Sequence, residues 1–149
     1  DGIFTGDSLG LVYPWLQAGG LFPLASTTPT DLDVPAAKQS LDRIVGSGAR
    51  AAYLTHFGAH EDLPAIANAL HAQLDRYGAI VDEAFEADIQ GKTLDLFCND
   101  RVRALFDDLL RERGLGEDAA VREALETDIR LNCQGVAYAV QKRRFKEGK

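Results

Sequence analysis

The sequence predicts a small α/β region followed by a helical region, so the fold class is mixed α/β (α+β). Two observations predict this order. Residues 1–61 contain short apolar runs separated by glycine and proline, whereas residues 62–149 contain a single proline, Pro64, and have apolar residues at three- and four-residue spacing. The composition changes where these two stretches meet, and we therefore expect a domain boundary between them.

The first region is predicted to contain a strand, a helix and a second strand. The opening residues DGIF are typical of a short buried strand that stops at Thr5 and Gly6. The run RAAYLTH is typical of a second strand that ends at His56. Between them, VPAAKQSLDRIV predicts a helix with Asp33 as its N-cap and Pro35 in its first turn.

The second region is predicted to contain three longer helices. Asp62 caps the first helix, and Asn99 or Asp100 opens the second. The interior of the third helix contains Asn132 and Gly135, and a glycine there costs about 1 kcal/mol relative to alanine. We therefore expect another segment to approach this turn closely, and a helix crossing is favoured over a ligand.

Composition restricts the class of protein. The 46% hydrophobic and 26% charged residues are ordinary for a soluble globular protein, and no apolar run approaches the roughly 18 residues of a membrane span. A net charge of -7 argues against nucleic acid as a partner, and two widely separated cysteines favour a cytoplasmic location. The chain lacks methionine and begins in a strand-like run, which predicts a chain cut from a longer protein.

Each predicted strand is followed by a side chain that can bind a metal ion. Asp7 follows Thr5-Gly6, and His56 precedes Gly58. Because a helix connects the two strands, we expect them to be neighbours in the sheet. Functional groups of α/β folds gather where strands end. A carboxylate and an imidazole suit zinc, iron or manganese. Taken alone, Asp7 is more often a turn residue and His56 a hydrogen-bonded strand-end histidine.

The segments FTGDSLG and LTHFG resemble the last two metal-binding motifs of the metallo-β-lactamase-fold hydrolases. The resemblance implies that residues 1–61 form the C-terminal half of an αββα sandwich, and that residues 62–149 form a helical C-terminal extension. It implies that Asp7, as the catalytic ligand, bridges two divalent metal ions and that His56 completes the ligands of the second. Zinc is expected, with iron or manganese as alternatives, and a metal-bound hydroxide would hydrolyse an ester or thioester.

The family's earlier signature, His-x-His-x-Asp-His, does not occur in these 149 residues. We therefore expect the other metal ligands to lie before Asp1, and this chain alone to be inactive and to bind little or no metal. Half of a sandwich leaves a sheet face and a strand edge uncovered. This predicts self-association or an attached N-terminal half.

The loop from Gly10 to Leu32 is predicted to contribute to a cleft for a small-molecule substrate. Tyr13, Trp15 and Phe22 make it apolar, and His60 is placed at the cleft mouth. Packing of these rings beneath the helices, and a solvated loop position for His60, are the alternatives.

Other polar residues receive structural assignments. Thr27, Thr28, Asp31 and Asp33 are interpreted as turn and cap residues, and His71 is given no role. The alternative to a hydrolase is a non-catalytic helical module in residues 62–149 that serves oligomerisation or binding of a partner. Metal binding at Asp7 and His56 distinguishes the two hypotheses.

Overall fold

The computed structural model describes residues 1–29 and 32–148. In that part of the chain it shows a mostly helical α+β protein with a three-stranded sheet, which confirms the predicted mixed class. The sandwich of the metallo-β-lactamase fold stays a prediction. The elements are β1 (Gly2–Gly6), α1 (Val34–Gly46), β2 (Ala51–Leu54), β3 (Ala59–His60), α2 (Leu63–Glu86), α3 (Gly91–Glu112), α4 (Ala119–Ala124) and α5 (Glu126–Glu147).

The chain forms two compact units. The first contains Asp1–Ser26 and Asp33–Asp75, and the second contains Arg76–Lys149 with the described residues of Thr27–Leu32. Helix α2 begins in the first unit and ends in the second. The compositional boundary between residues 61 and 62 stays a prediction about domain organisation.

The sheet has the order β1-β2-β3, with β1 parallel to β2 and β2 antiparallel to β3. Helix α1 connects the two parallel strands, as the sequence predicts. Strand β2 ends at Leu54, so the prediction that it runs to His56 is wrong. The backbone amide of Leu54 donates to the carbonyl of Gly58 at 3.0 Å, and this bond turns the chain into β3. His56 therefore lies in the turn after the strand.

Two predicted N-cap side chains lie beside the first turn of their helices and bond to it. The carboxylate of Asp33 accepts a hydrogen bond from the amide of Ala36, and that of Asp62 accepts one from Ala65, both at 3.1 Å. Each bond satisfies one of the unpaired amides at a helix start. Both predicted N-caps are therefore confirmed.

The start of α3 differs from the prediction. This helix begins at Gly91, well before Asn99 and Asp100. The break before it comes from the positive φ angles of Asp88 (52°) and Gly91 (55°). Asn99 lies inside the helix, where its side chain accepts a hydrogen bond from Nε of Arg103, one turn later, at 3.1 Å. This bond along the helix replaces the predicted capping role.

The predicted third helix is two helices, α4 and α5, that meet at the fully buried Leu125. Asp118 caps α4 by accepting hydrogen bonds from the amides of Ala120 (3.0 Å) and Val121 (3.1 Å). Helix α5 packs along α3 in the second unit. The buried apolar residues of these two helices include Val102, Leu105, Phe106, Ile129, Val136 and Val140.

The turn of α5 at Asn132 and Gly135 is closely approached, as predicted, but by a loop and not by a helix. The side-chain oxygen of Asn132 accepts hydrogen bonds from the amide and the hydroxyl of the buried Thr27. Thr28 is exposed, and Asp31 lies outside the described residues. In the described part of the chain, no helix combines the length and apolar character that crossing a membrane requires.

Candidate metal and substrate site

The two residues predicted as metal ligands follow the same ends of two neighbouring parallel strands. Gly6, the last residue of β1, is paired with Leu54, the last residue of β2. The amide of Thr55 donates to the carbonyl of Gly6 at 3.3 Å, so the two chains stay in contact one step beyond the strands. Asp7 and His56 follow directly on this contact, and the predicted convergence at one sheet edge is present in the backbone.

Asp7 is the first residue of a single-turn 3-10 helix, Asp7–Leu9. Gly6 has a φ of 55°, which turns the chain out of the strand in a conformation that glycine adopts without strain. The turn closes when the amide of Gly10 donates to the carbonyl of Asp7 at 2.9 Å. Because Leu9 is fully buried and Asp7 is exposed, the turn is anchored in the core while the carboxylate faces solvent.

His56 is exposed in the bend that follows β2. Its ring centroid lies 6.0 Å from that of Phe57. Within residues 1–29 and 32–148, the side chains of Asp7 and His56 make neither hydrogen bonds nor ion pairs. Their oxygen and nitrogen atoms are therefore available as ligands.

Three aromatic side chains pack in a row that begins with Phe57, the neighbour of His56, and we call them the aromatic platform: Tyr13, Trp15 and Phe57. The ring of Tyr13 is centred 4.5 Å from that of Phe57 and 5.3 Å from that of Trp15. Trp15 and Phe57 remain 46% and 42% exposed, respectively. The rings thus pack on one another without being covered, and the pair Tyr13 and Trp15 is connected to the candidate site only through Phe57. A substrate-binding role for the pair stays a prediction.

Sequence reasoning missed Phe57 and left two alternatives open for Phe22. Phe57 occupies the position between His56 and Gly58, and its aromatic character in LTHFG was the available signal. Phe22 is 3% exposed and belongs to the core, so of the two alternatives left open for this ring the structure favours packing over a position in the cleft. Its backbone amide donates to Oε1 of Gln17 at 2.8 Å, which holds this part of the loop against its preceding turn.

The other two histidines have distinct surroundings. His60 lies in β3 opposite the buried Ala52, so it is a strand residue and not a loop residue. Its Nε2 atom is buried without a hydrogen-bond partner in the described part of the chain. Nε2 of His71 lies 2.9 Å from a carboxylate oxygen of Asp42 and joins α2 to α1. His71 therefore has a structural contact, in keeping with the absence of an assigned role.

The two strand-end side chains supply only part of the ligand set for the metal ions that the family resemblance implies. Asp7 and His56 supply a carboxylate and an imidazole, which are ordinary ligands of zinc, iron and manganese. A zinc site uses four protein ligands, or three and a water. No group of three histidine, cysteine, aspartate or glutamate residues is arranged for a metal ion in the described residues. The pair therefore suits two ligand positions of such a site, and the described residues supply no third ligand beside it.

The two cysteines are poor candidates for a nucleophile. Cys98 is fully buried in α3, and Cys133 is 9% exposed in α5. Burial raises the pKa of the Cys98 thiol to about 12 and that of Cys133 to about 11. Because the thiolate is the reactive form, both groups are inert at neutral pH.

A cavity of about 310 Å³ in the second unit provides a separate polar surface. It is lined by Arg103, Asp107, Arg122, Glu123, Glu126 and Ile129. Arg103 binds Glu126 through two hydrogen bonds, and Arg122 lies 3.1 Å from Asp107. Both guanidinium groups are thus paired with carboxylates of the protein, which weakens the case for an anion site.

Comparisons of this chain with protein-family models, with curated proteins and with solved structures found no match.

Proposed function

We propose that this chain is part of a metal-dependent hydrolase of the metallo-β-lactamase fold that acts on a small-molecule ester or thioester. Asp7 and His56 supply ligands to two divalent metal ions, zinc or alternatively iron or manganese. The observation that carries this proposal is the hydrogen bond from Thr55 to Gly6, which joins the chain at the ends of β1 and β2 immediately before the two side chains. The remaining ligands come from polypeptide outside the described residues.

The residues have different tasks in this proposal. The Asp7 carboxylate, with its two oxygens, would be the ligand shared by both metals, and the buried Leu9 holds its turn in position. His56 would supply a ring nitrogen to the second metal from a bend that is joined to β3 by the hydrogen bond between Leu54 and Gly58. When bound, a pair of divalent metal ions activates water and polarises the group under attack.

The test is metal content and turnover of the full-length protein, with a panel of ester, thioester, lactam and phosphodiester substrates. Asp7→Ala should cause the largest loss, because a bridging carboxylate serves both metals. His56→Ala should lower occupancy of the second metal and leave residual activity. His71→Ala, which removes only the contact with Asp42, is the matched histidine control and should change both measurements little.

Replacement of the half-buried His60 is a second comparison, with an expected loss of turnover of at most about 10–100-fold, as for residues that act through the ligands. Unchanged metal content and unchanged turnover in Asp7→Ala would overturn the proposal.

The alternative is a non-catalytic helical module for oligomerisation or partner binding. It is favoured by two exposed apolar side chains of the second unit, Leu96 on α3 (66% exposed) and Phe145 on α5 (88%). Replacing either by serine should weaken an assembly that uses these helices while metal binding at the strand ends is unaffected. The same variants should leave turnover in the hydrolase assay unchanged if the helices bind no partner.

A further inference from the structure

We propose that the aromatic platform binds an aryl group of the substrate, so that the preferred substrates are aryl-bearing esters or thioesters. The hydrolytic part of this statement rests on the proposed function, whereas the binding of an aryl group does not. The platform consists of Tyr13, Trp15 and Phe57, and all three belong to the first compact unit.

The packing of the rings suits a planar ligand. Tyr13 is half-buried between its two neighbours, with ring planes inclined by 48° to Trp15 and 43° to Phe57. The outer rings keep almost half of their surface exposed. Aromatic rings prefer offset or edge-to-face neighbours, and an added aryl group gains both area burial and this specific geometry. An aliphatic group gains the area burial alone.

The backbone of Phe57 is strained, and the partial burial of its side chain does not offset the cost of this strain. Its φ is 68°, in the left-handed region that non-glycine residues rarely adopt. Such conformations are energetically unfavourable and cluster at functional sites. Phe57 is 42% exposed, so the large ring recovers only part of its burial energy from the fold. A bound aryl group would cover the remaining surface.

The position of the platform links it to the candidate metal ligands. Phe57 adjoins His56 in sequence, and their ring centroids are 6.0 Å apart. His56 in turn follows the strand-end contact that adjoins Asp7. An aryl group stacked on Phe57 would therefore lie close to the ring of His56.

Binding can be measured on this chain without metal, because Trp15 is its only tryptophan and reports directly from the platform. The fluorescence of Trp15 is titrated with benzyl acetate and with cyclohexylmethyl acetate, which has the same linkage and a saturated ring. Benzyl acetate should bind roughly 2- to 10-fold more tightly, the ratio that corresponds to about 0.5–1.5 kcal/mol for an aromatic pair.

Phe57→Gly is the informative variant, because glycine adopts a φ of 68° without strain and the turn is preserved. It should remove the preference for the benzyl ester, while circular dichroism shows an unchanged fold. Phe4→Ala is the matched control: Phe4 is 85% exposed and makes its ring contact with Tyr53. It should leave the preference intact.

Equal affinity for the two esters, or a preference that survives in Phe57→Gly, would overturn the proposal. This test is independent of the hydrolase proposal, because binding measured by Trp15 fluorescence requires neither metal nor turnover. A full-length protein that hydrolyses both esters equally well would contradict the platform and leave the hydrolase in place. An inactive full-length protein with the binding preference would support the platform and contradict the hydrolase.

Discussion

The carbonyl group of Thr27 lies directly against Gly135 of helix α5. A Cβ atom built on Gly135 would be 1.5 Å from the Thr27 carbonyl oxygen and 2.7 Å from its carbon. One turn earlier on the same helix, the side-chain oxygen of Asn132 accepts a hydrogen bond from the Thr27 amide at 2.7 Å. The helix therefore binds the loop through the side chain of Asn132. Gly135 leaves room for the loop because it has no side chain.

Gly135→Ala should destabilise the protein strongly. The added methyl group has no space unless the backbone of Thr27 moves, and overpacking of this kind costs about 1–3 kcal/mol, with backbone displacement expected to give the upper end. The measurement is the free energy of unfolding from urea denaturation. Gly46→Ala is the control, because no atom lies within 4 Å of its added Cβ. A destabilisation of Gly135→Ala no larger than that of the control would contradict the close approach.

Asn132→Ala should cost about 1–3 kcal/mol, because it leaves the buried amide and hydroxyl donors of Thr27 without an acceptor. Thr27→Val removes only the hydroxyl bond and should cost less. Urea denaturation of the two single variants and the double variant gives the coupling. Additive losses would show that the two side chains do not interact as the structure indicates.

The ion pair between Arg103 and Glu126 should make stability depend on pH. The side-chain hydrogen bonds from Arg103 lower the pKa of Glu126 below its ordinary 4.5. A carboxylate whose pKa is lower when folded stabilises above the unfolded pKa, and this stabilisation is lost as pH falls through the folded pKa. Glu126→Gln should therefore be less stable than the parent chain at pH 7, and the difference should shrink and then vanish as the pH falls below the ordinary pKa of 4.5 and through the lowered pKa of the folded state.

The difference for Glu126→Gln should be less than about 1 kcal/mol, since the pair is half-exposed and screened by solvent. Urea unfolding at several pH values measures it. Glu117→Gln is the matched control, because Glu117 makes no ion pair in the described part of the chain. A stability difference for Glu126→Gln that grows on acidification would have the wrong sign for this ion pair.

The chain should self-associate through the sheet. Phe4 and Tyr53 face each other across β1 and β2, with ring centroids 5.1 Å apart, and remain 85% and 43% exposed. Strand β1 is also an outer strand of the sheet as the structure describes it, and such edges pair with other chains. Light scattering should show a dimer or a larger species, and Phe4→Lys should shift it towards monomer.

Phe145→Lys is the control for association through the helices. If Phe145→Lys converts the assembly to monomer while Phe4→Lys does not, association through the helical module becomes the better explanation. A clean monomer at high concentration would contradict the prediction that the sheet surface is a site of association.

The purified chain should hold metal weakly or not at all. Asp7 and His56 provide two ligands, and a stable zinc site needs at least three. Elemental analysis after dialysis should find zinc, iron and manganese well below one equivalent per chain. Stoichiometric, tightly held metal would contradict this expectation and would show that a second chain supplies the missing ligands.

The sequence by itself determined the features that depend on neighbouring residues. Asp33 and Asp62 were recognised as N-caps because a cap bonds an amide three residues away. Strand β1 and helix α1 form where the local patterns predict them, but the prediction that β1 is buried is wrong, since its residues are exposed or half-buried and Phe4 is 85% exposed. The order of the two elements predicts that Asp7 and His56 come to one edge of the sheet. The register of β1 and β2 places the two residues there.

Only the tertiary structure decided the features that depend on distant contacts. Asn132 and Gly135 predict that another segment approaches α5 closely, but the sequence does not identify it. The approaching group is Thr27, more than a hundred positions earlier in the chain. Strand β2 ends before His56 because Leu54 bonds to Gly58 in the turn to β3, a pairing that apolar periodicity does not contain. In the aromatic platform, likewise, the ring of Phe57 packs on that of Tyr13, which lies far earlier in the chain, because ring packing depends on the fold and not on sequence spacing.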